Sequence, residues 1–131
     1  MKKLLHISSK IFLVLIALLL VSAWAIWFLD TQAMLNQYQV ATESVTGINA
    51  LKTSMGGAAL IIGLFIILYF LKGNRWLLPI ILSTGVLLIT RTISMFVDGS
   101  STTIWSGIIL EFLLILAALV LMNQKRSNSK L

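Results

Sequence analysis

Four long apolar runs alternate with short polar segments along the chain. The runs cover residues 11–29, 53–71, 76–97 and 104–122. Each holds about 20 mostly apolar residues, the length that an α-helix needs to cross roughly 30 Å of hydrocarbon. The pattern predicts an all-α protein: an integral membrane bundle of four transmembrane helices.

The polar segments between the runs leave little room for a soluble domain. We therefore predict a short N-terminal segment at 1–10, a single membrane domain at 11–122 and a tail at 123–131. The composition agrees, because 59% of the 131 residues are apolar, 11% are charged, and the mean hydropathy is +1.01. A chain of this composition belongs in a bilayer rather than in water.

The charges that flank the helices alternate in sign and predict the orientation. Cytoplasmic flanks and short loops carry the excess of Lys and Arg. Three segments here are basic: Lys2, Lys3 and Lys10; Lys72 and Arg75; Lys125, Arg126 and Lys130. The other two connections carry Asp30, Glu43 and Asp98 against Lys52 alone. We expect both termini in the cytoplasm of a bacterium and the chain in its inner membrane as a multi-pass protein.

The net charge of +6 and the pI near 10.1 do not indicate nucleic acid. The basic residues are spread over three short segments rather than gathered on one face, so the expected partners are membrane lipids and another membrane protein. The oligomeric state is left open.

The N-terminus allows a second interpretation, a secretory signal with a cleavage site at the "AWA" of Ala23 to Ala25. The apolar run continues to Leu29, beyond a typical signal core, and its removal would leave three helices with ends on opposite sides. We expect a retained first helix.

Small residues form one face of the second predicted helix. Gly56, Ala59 and Gly63 lie at positions i, i+3 and i+7, with Gly57 beside them. Small side chains allow helix backbones to approach closely in lipid. We expect this face to pack against another helix of the same chain, with a homodimer contact as the weaker alternative.

The connection between the first two helices is too long for a plain turn. Met34, Leu35, Tyr38 and Ala41 have helical spacing, and Asp30 is a candidate N-cap. This pattern predicts a short helix at the membrane interface.

Arg91 and Glu111 are the charged residues inside the apolar runs of the third and fourth helices. At 1.5 Å per residue, Arg91 lies about 9 Å and Glu111 about 10 Å from the periplasmic ends of their helices. These helices are antiparallel neighbours, and intramembrane charges normally face the bundle interior and pair. We predict that Arg91 pairs with Glu111.

Thr84, Ser94 and Asp98 fall on or near the Arg91 face at i−7, i+3 and i+7. Together with the pair they form a candidate polar centre. Two structural alternatives remain: Arg91 reaches up to Asp98 and lipid headgroups, or a buried pair only sets the register of the two helices. A ligand, ion or proton site on the pair is the functional alternative.

The residue types limit the chemistry. Cysteine is absent and His6 is the single histidine, so the usual ligands of zinc and haem and the usual thiol nucleophiles are missing. Ser94 without a nearby base is a poor nucleophile. We expect no enzyme, no cofactor and no metal site.

Two stretches, "TGINALKTSMGGAALIIGLFIIL" and "LLITRTISMFVDGSSTTIWSGIILEFLLILAAL", resemble a small bacterial four-helix membrane family, domain of unknown function 4345. The matching elements are Asn49 before the second helix, the paired glycines, Arg91 followed by Ser94 and Gly99, and Glu111. Lys52 stands where the family pattern has arginine, and its proline after the first helix is missing. The resemblance covers about residues 11–122. It implies the four-helix fold and a shared polar centre on the third and fourth helices, and it brings no activity.

Two functions are compatible with these features. The first is a membrane interaction or accessory protein that binds a lipid-like or quinone-like molecule at the polar centre. The alternative is a minimal proton-coupled transporter of small molecules, which matches in size and helix count. Small multidrug transporters carry a carboxylate in the first helix, and residues 11–29 contain none.

Overall fold

The computed structural model describes residues 2–42, 44–99 and 101–128. Its regular structure is helical: α1 (Lys2–Leu29), α2 (Thr31–Gln37), α3 (Val45–Leu51), α4 (Gly57–Lys72), α5 (Leu77–Asp98) and α6 (Thr102–Asn128). A π-helical turn, Lys52–Gly56, joins α3 to α4, so that Val45–Lys72 is one continuous helix. A 3₁₀ turn, Asn74–Trp76, precedes α5.

Four of these helices are long and apolar enough to cross a membrane: Lys3–Leu29, Val45–Lys72, Asn74–Asp98 and Thr102–Asn123. They form the predicted all-α four-helix bundle. The first two begin eight residues before the apolar runs in the sequence. The second begins eight residues before the predicted start at 53, because Ser44 caps it by accepting a hydrogen bond from the Gly47 N–H.

The four long helices form a closed ring in the order α1, α4, α5, α6, in which each packs against two neighbours. The main core lies toward the end of the bundle where α1 begins, called the terminal end here. It includes Leu13, Ile66, Leu77, Ile80 and Leu121, all at most 2% exposed. The opposite end, which carries α2, is called the loop end.

The small-residue face of α4 is divided between two environments. A Cβ at Gly56 would lie 3.2 Å from the Trp27 ring, and one at Gly63 would lie 3.2 Å from Val21. These two glycines therefore face α1 of the same chain and allow it to approach closely. Gly57 has no such neighbour within 4 Å, and Ala59 faces the cavity described below.

The loop end is covered by α2. Asp30 caps this helix by accepting a hydrogen bond from Ala33 N–H at 3.0 Å, and Met34 and Leu35 are buried against Trp27. The Tyr38 ring stacks on Trp27, with ring centroids 6.0 Å apart. The helix ends at Gln37, before Ala41, so the predicted short helix forms but stops one turn earlier than its apolar spacing suggested.

Two glycines make the tight connections on either side of α5. Gly73 has φ of 90° and Gly99 has φ of 98°, each with an extended ψ. This backbone region is essentially restricted to glycine. The short connections hold α4, α5 and α6 as antiparallel neighbours and thereby fix the relative depth of their side chains.

Candidate functional site

Arg91 and Glu111 meet between α5 and α6. The Arg91 Nε and Nη2 groups both donate to Glu111 Oε1, at 3.1 and 2.9 Å. The side chain of Arg91 is 33% exposed and that of Glu111 is 12% exposed. Because both donors converge on one carboxylate oxygen, this ion pair differs from the two-oxygen fork that Arg and carboxylates often form.

Gly107 makes room for the pair. A Cβ at this position would lie 2.9 Å from Arg91 Cζ, 3.0 Å from Nε and 3.1 Å from Nη1. The guanidinium therefore lies against the bare backbone of α6, four residues before Glu111. A glycine in the middle of a helix carries an entropic cost, which the space for Arg91 explains here.

The other predicted polar residues do not all join this centre. Thr84 is 0% exposed and lies deeper in the bundle. Ser94 and Asp98 are on the outer part of α5, where the Ser94 hydroxyl donates to Asp98 Oδ2 at 2.8 Å in an exposed position. The structure thus pairs Arg91 with Glu111 rather than with Asp98, and it separates Ser94 and Asp98 from the buried part of the polar face.

A cavity of about 270 Å³ lies beside the pair. All four long helices line it, and most of its wall is apolar. Arg91 and Glu111 are the charged side chains in its lining, so the formal charges of the wall sum to zero. The lining also contains three uncharged polar residues, Thr84, Ser54 and Tyr38.

From the exposure of two lining leucines we infer that the cavity opens to the side of the bundle, between α1 and α6. Leu19 of α1 and Leu110 of α6 line it and are also 52% and 39% exposed on the bundle surface. In a membrane this surface faces lipid tails. An alkyl chain can therefore reach the polar pair without passing through the aqueous end of the bundle.

Two buried oxygen atoms at this site have no hydrogen-bond partner among the described residues. These are Glu111 Oε2, the carboxylate oxygen that Arg91 does not use, and Thr84 Oγ1. Buried polar groups are nearly always hydrogen-bonded. A buried group that is left without a hydrogen bond costs about 1–3 kcal/mol, and more if it is charged. Both residues line the cavity, so a bound molecule would lower this cost if the two side chains turn to bring these covered atoms into it.

Several residues of the cavity wall were not predicted as site residues. Tyr38 had been assigned only to the apolar face of the short helix, and Ser54, Met55 and Ala58 had no assignment. Ser54 and Met55 belong to the π-helical turn, a feature that is often found at functional sites. Helical periodicity does not reveal such a turn, because it depends on one extra residue per turn in an otherwise regular helix.

No group of three His, Asp or Glu side chains within the described ranges 2–42, 44–99 and 101–128 could hold a metal ion. Comparisons with family models, curated proteins and solved structures returned no match to this chain. The resemblance to domain of unknown function 4345 therefore stays a prediction, and the function has to be argued from the site itself.

Proposed function

We propose that this chain is a bacterial inner-membrane protein that binds a lipid-like molecule in the cavity beside Arg91 and Glu111, as an accessory or interaction protein rather than as an enzyme. The observation that carries the proposal is the cavity itself: apolar walls, a side opening at Leu19 and Leu110, and one polar pair. Ligand pockets commonly combine mostly apolar walls with a few well-placed polar groups.

The position of the pair supports a ligand from the outer leaflet. With both termini in the cytoplasm, the loop end of the bundle faces the periplasm, and the pair lies on the loop-end side of the middle of α5 and α6, seven residues from Asp98 and nine from Thr102. A lipid molecule from the outer leaflet can place its headgroup at Arg91 and Glu111 while its chain remains among the surrounding lipid.

The alternative, a proton-coupled transporter, has less support from the geometry. Glu111, the candidate proton carrier, accepts two hydrogen bonds from Arg91, and the first predicted helix, residues 11–29, contains no carboxylate. A substrate-driven pH change in vesicles that contain the purified protein would favour the transporter and count against the accessory function.

Purification in native lipid patches, followed by mass spectrometry of the retained lipids, tests the proposal. Ala58 lines the cavity, so Ala58→Phe should fill part of it and abolish retention of the ligand. Ala50, exposed on α3 of the same continuous helix, provides the matched control: Ala50→Phe should retain the ligand as the parent protein does.

Helical content and thermal unfolding of both variants establish that they are folded. If the parent protein retains no lipid-like molecule above the bulk lipid composition, or if Ala58→Phe retains the same amount as Ala50→Phe, the proposed function is wrong.

A further inference from the structure

We propose that the ligand of this cavity is an uncharged, single-chain amphiphile whose headgroup carries free hydroxyl groups, as in a monoacylglycerol. This inference rests on the proposed function, since it names the class of molecule that the cavity takes. Charge, hydrogen bonding and size each support it independently.

The charge of the cavity wall favours an uncharged headgroup. Arg91 and Glu111 neutralise each other in the lining, so the wall offers no net charge to an ion. An anionic headgroup that approached Arg91 would also approach Glu111, and it would have to compete with that carboxylate for the guanidinium. A cationic headgroup near Glu111 would meet Arg91 in the same way.

The free hydrogen-bonding groups favour a headgroup that donates. Glu111 Oε2 is buried without a partner among the described residues, and an ionised carboxylate only accepts hydrogen bonds. Thr84 Oγ1, also without a partner among them, can donate or accept. Hydroxyl groups satisfy both atoms once the Glu111 and Thr84 side chains turn toward the cavity, whereas a simple ester or the choline headgroup has no donor for Glu111.

The size of the cavity favours a small headgroup and one chain. At about 30 Å³ for each water-sized group, 270 Å³ holds about nine such groups. This is enough for a glycerol-sized headgroup and the start of one alkyl chain. The rest of the chain leaves between Leu19 and Leu110, which reach the lipid-facing surface.

Three amphiphiles with the same acyl chain separate these requirements: monolaurin has hydroxyl donors and no charge, methyl laurate has neither, and laurate is anionic. The protein is placed in phosphatidylcholine nanodiscs with an equimolar mixture of the three, and native mass spectrometry measures which of them stays bound. Because a hydrogen bond to a charged group is involved, monolaurin should bind at least about 10-fold more tightly than either of the others.

Two substitutions test the assigned atoms. Glu111→Gln replaces one of the two acceptor oxygens with an NH₂ donor, removes the negative charge and leaves Arg91 uncompensated, so the preference should change from monolaurin to laurate. Thr84→Val keeps the shape of the side chain and removes the hydroxyl, so it should weaken monolaurin binding about 3-fold or more while methyl laurate binding stays unchanged. The second variant alters no charge, which makes it informative even where Glu111→Gln does not fold.

The possible failures can be told apart. If laurate or methyl laurate binds best to the parent protein and Ala58→Phe abolishes that binding, the hydroxyl headgroup is wrong and the proposed function stands. If none of the three binds to the parent protein, the monoacylglycerol class is wrong, and lipid retention in native patches then decides the proposed function separately. An unchanged preference in Glu111→Gln, or unchanged monolaurin binding in Thr84→Val, also contradicts the inference.

Discussion

Removing one member of the Arg91–Glu111 pair should destabilise the protein, and the two single substitutions should differ in size. Arg91→Leu leaves the Glu111 carboxylate, which is only 12% exposed, without a counter-charge. Breaking a buried pair in this way costs about 3–5 kcal/mol. Glu111 has a short side chain, so it cannot reach the headgroup region to reduce that cost.

Glu111→Leu should cost less. It leaves Arg91, which is 33% exposed and has a long side chain that can extend toward the loop end and its water. We expect a loss of about 1–3 kcal/mol, the range for a buried polar group that loses its partner. The double substitution removes both charges and should recover more than half of the larger loss, with a coupling energy of at least about 2.5 kcal/mol.

The assay is reversible unfolding by SDS from mixed micelles, followed by far-ultraviolet circular dichroism, for the parent protein and the three variants. Ser94→Ala serves as the control, because its hydrogen bond to Asp98 lies on the same helix in an exposed position. It should change the free energy of unfolding by less than about 0.5 kcal/mol.

Three results would refute the reasoning. Silent single substitutions would mean that the pair carries no buried charge. Losses that simply add would mean that Arg91 and Glu111 do not interact. A larger loss for Glu111→Leu than for Arg91→Leu would contradict the argument from exposure and side-chain length.

Two further predictions concern the packing and the orientation. Gly107→Ala should displace the Arg91 guanidinium, because the new Cβ would lie 2.9 Å from Cζ. It should lower the free energy of unfolding by about 1–2 kcal/mol. Gly85→Ala is the control: its Cβ would meet nothing within 4 Å, so it should be neutral or stabilising by up to about 1 kcal/mol. Two substitutions at exposed positions, Thr46→Cys and Asn123→Cys, test the orientation. In cells with a permeable outer membrane, an impermeant thiol reagent should modify Thr46→Cys and leave Asn123→Cys unmodified. The reverse pattern would overturn the predicted topology.

The fold could be predicted from the sequence because it depends on quantities that a sequence displays directly. Run length and hydropathy determine which segments can cross a bilayer, and all four predicted runs lie within long helices. The predicted helix ends were less accurate than the predicted runs. Val45 to Lys52 is helical although it lies before the apolar run that begins at 53, since a cap at Ser44 and continuity with α4 are sufficient to extend a helix beyond its apolar run.

The contact between Arg91 and Glu111 was also accessible from the sequence. A short connection through Gly99 forces α5 and α6 to be antiparallel neighbours, so residues at equal distances from the connection lie at equal depth. Depth alone does not determine direction around a helix axis. Helical spacing along α5 predicted Ser94 and Asp98 near Arg91, and the structure places them together on the exposed outer part of α5 instead.

The cavity could not be predicted, because it depends on how four helices pack rather than on any one of them. At the terminal end, large side chains such as Leu13, Ile66 and Leu121 meet in the centre and fill it. Around the cavity, the inward positions of two helices carry Ala58, Ala59 and Thr84. These short side chains leave space that no single helical pattern reveals.

An ion pair, rather than apolar side chains, lies beside the space that these short side chains leave. Replacing a buried pair with apolar residues of similar volume is often neutral or stabilising, so stability alone does not account for Arg91 and Glu111. The pair does supply two things that leucines would not: a fixed register between α5 and α6, and a carboxylate oxygen that remains free to accept a hydrogen bond beside an apolar cavity. If the only role of the pair were to fix the register, the double variant Arg91→Leu/Glu111→Leu would lose conformational uniqueness but would still bind the ligand. Because the free oxygen lies at the cavity, we expect the opposite: the double variant should remain folded and lose selectivity for a hydroxyl headgroup.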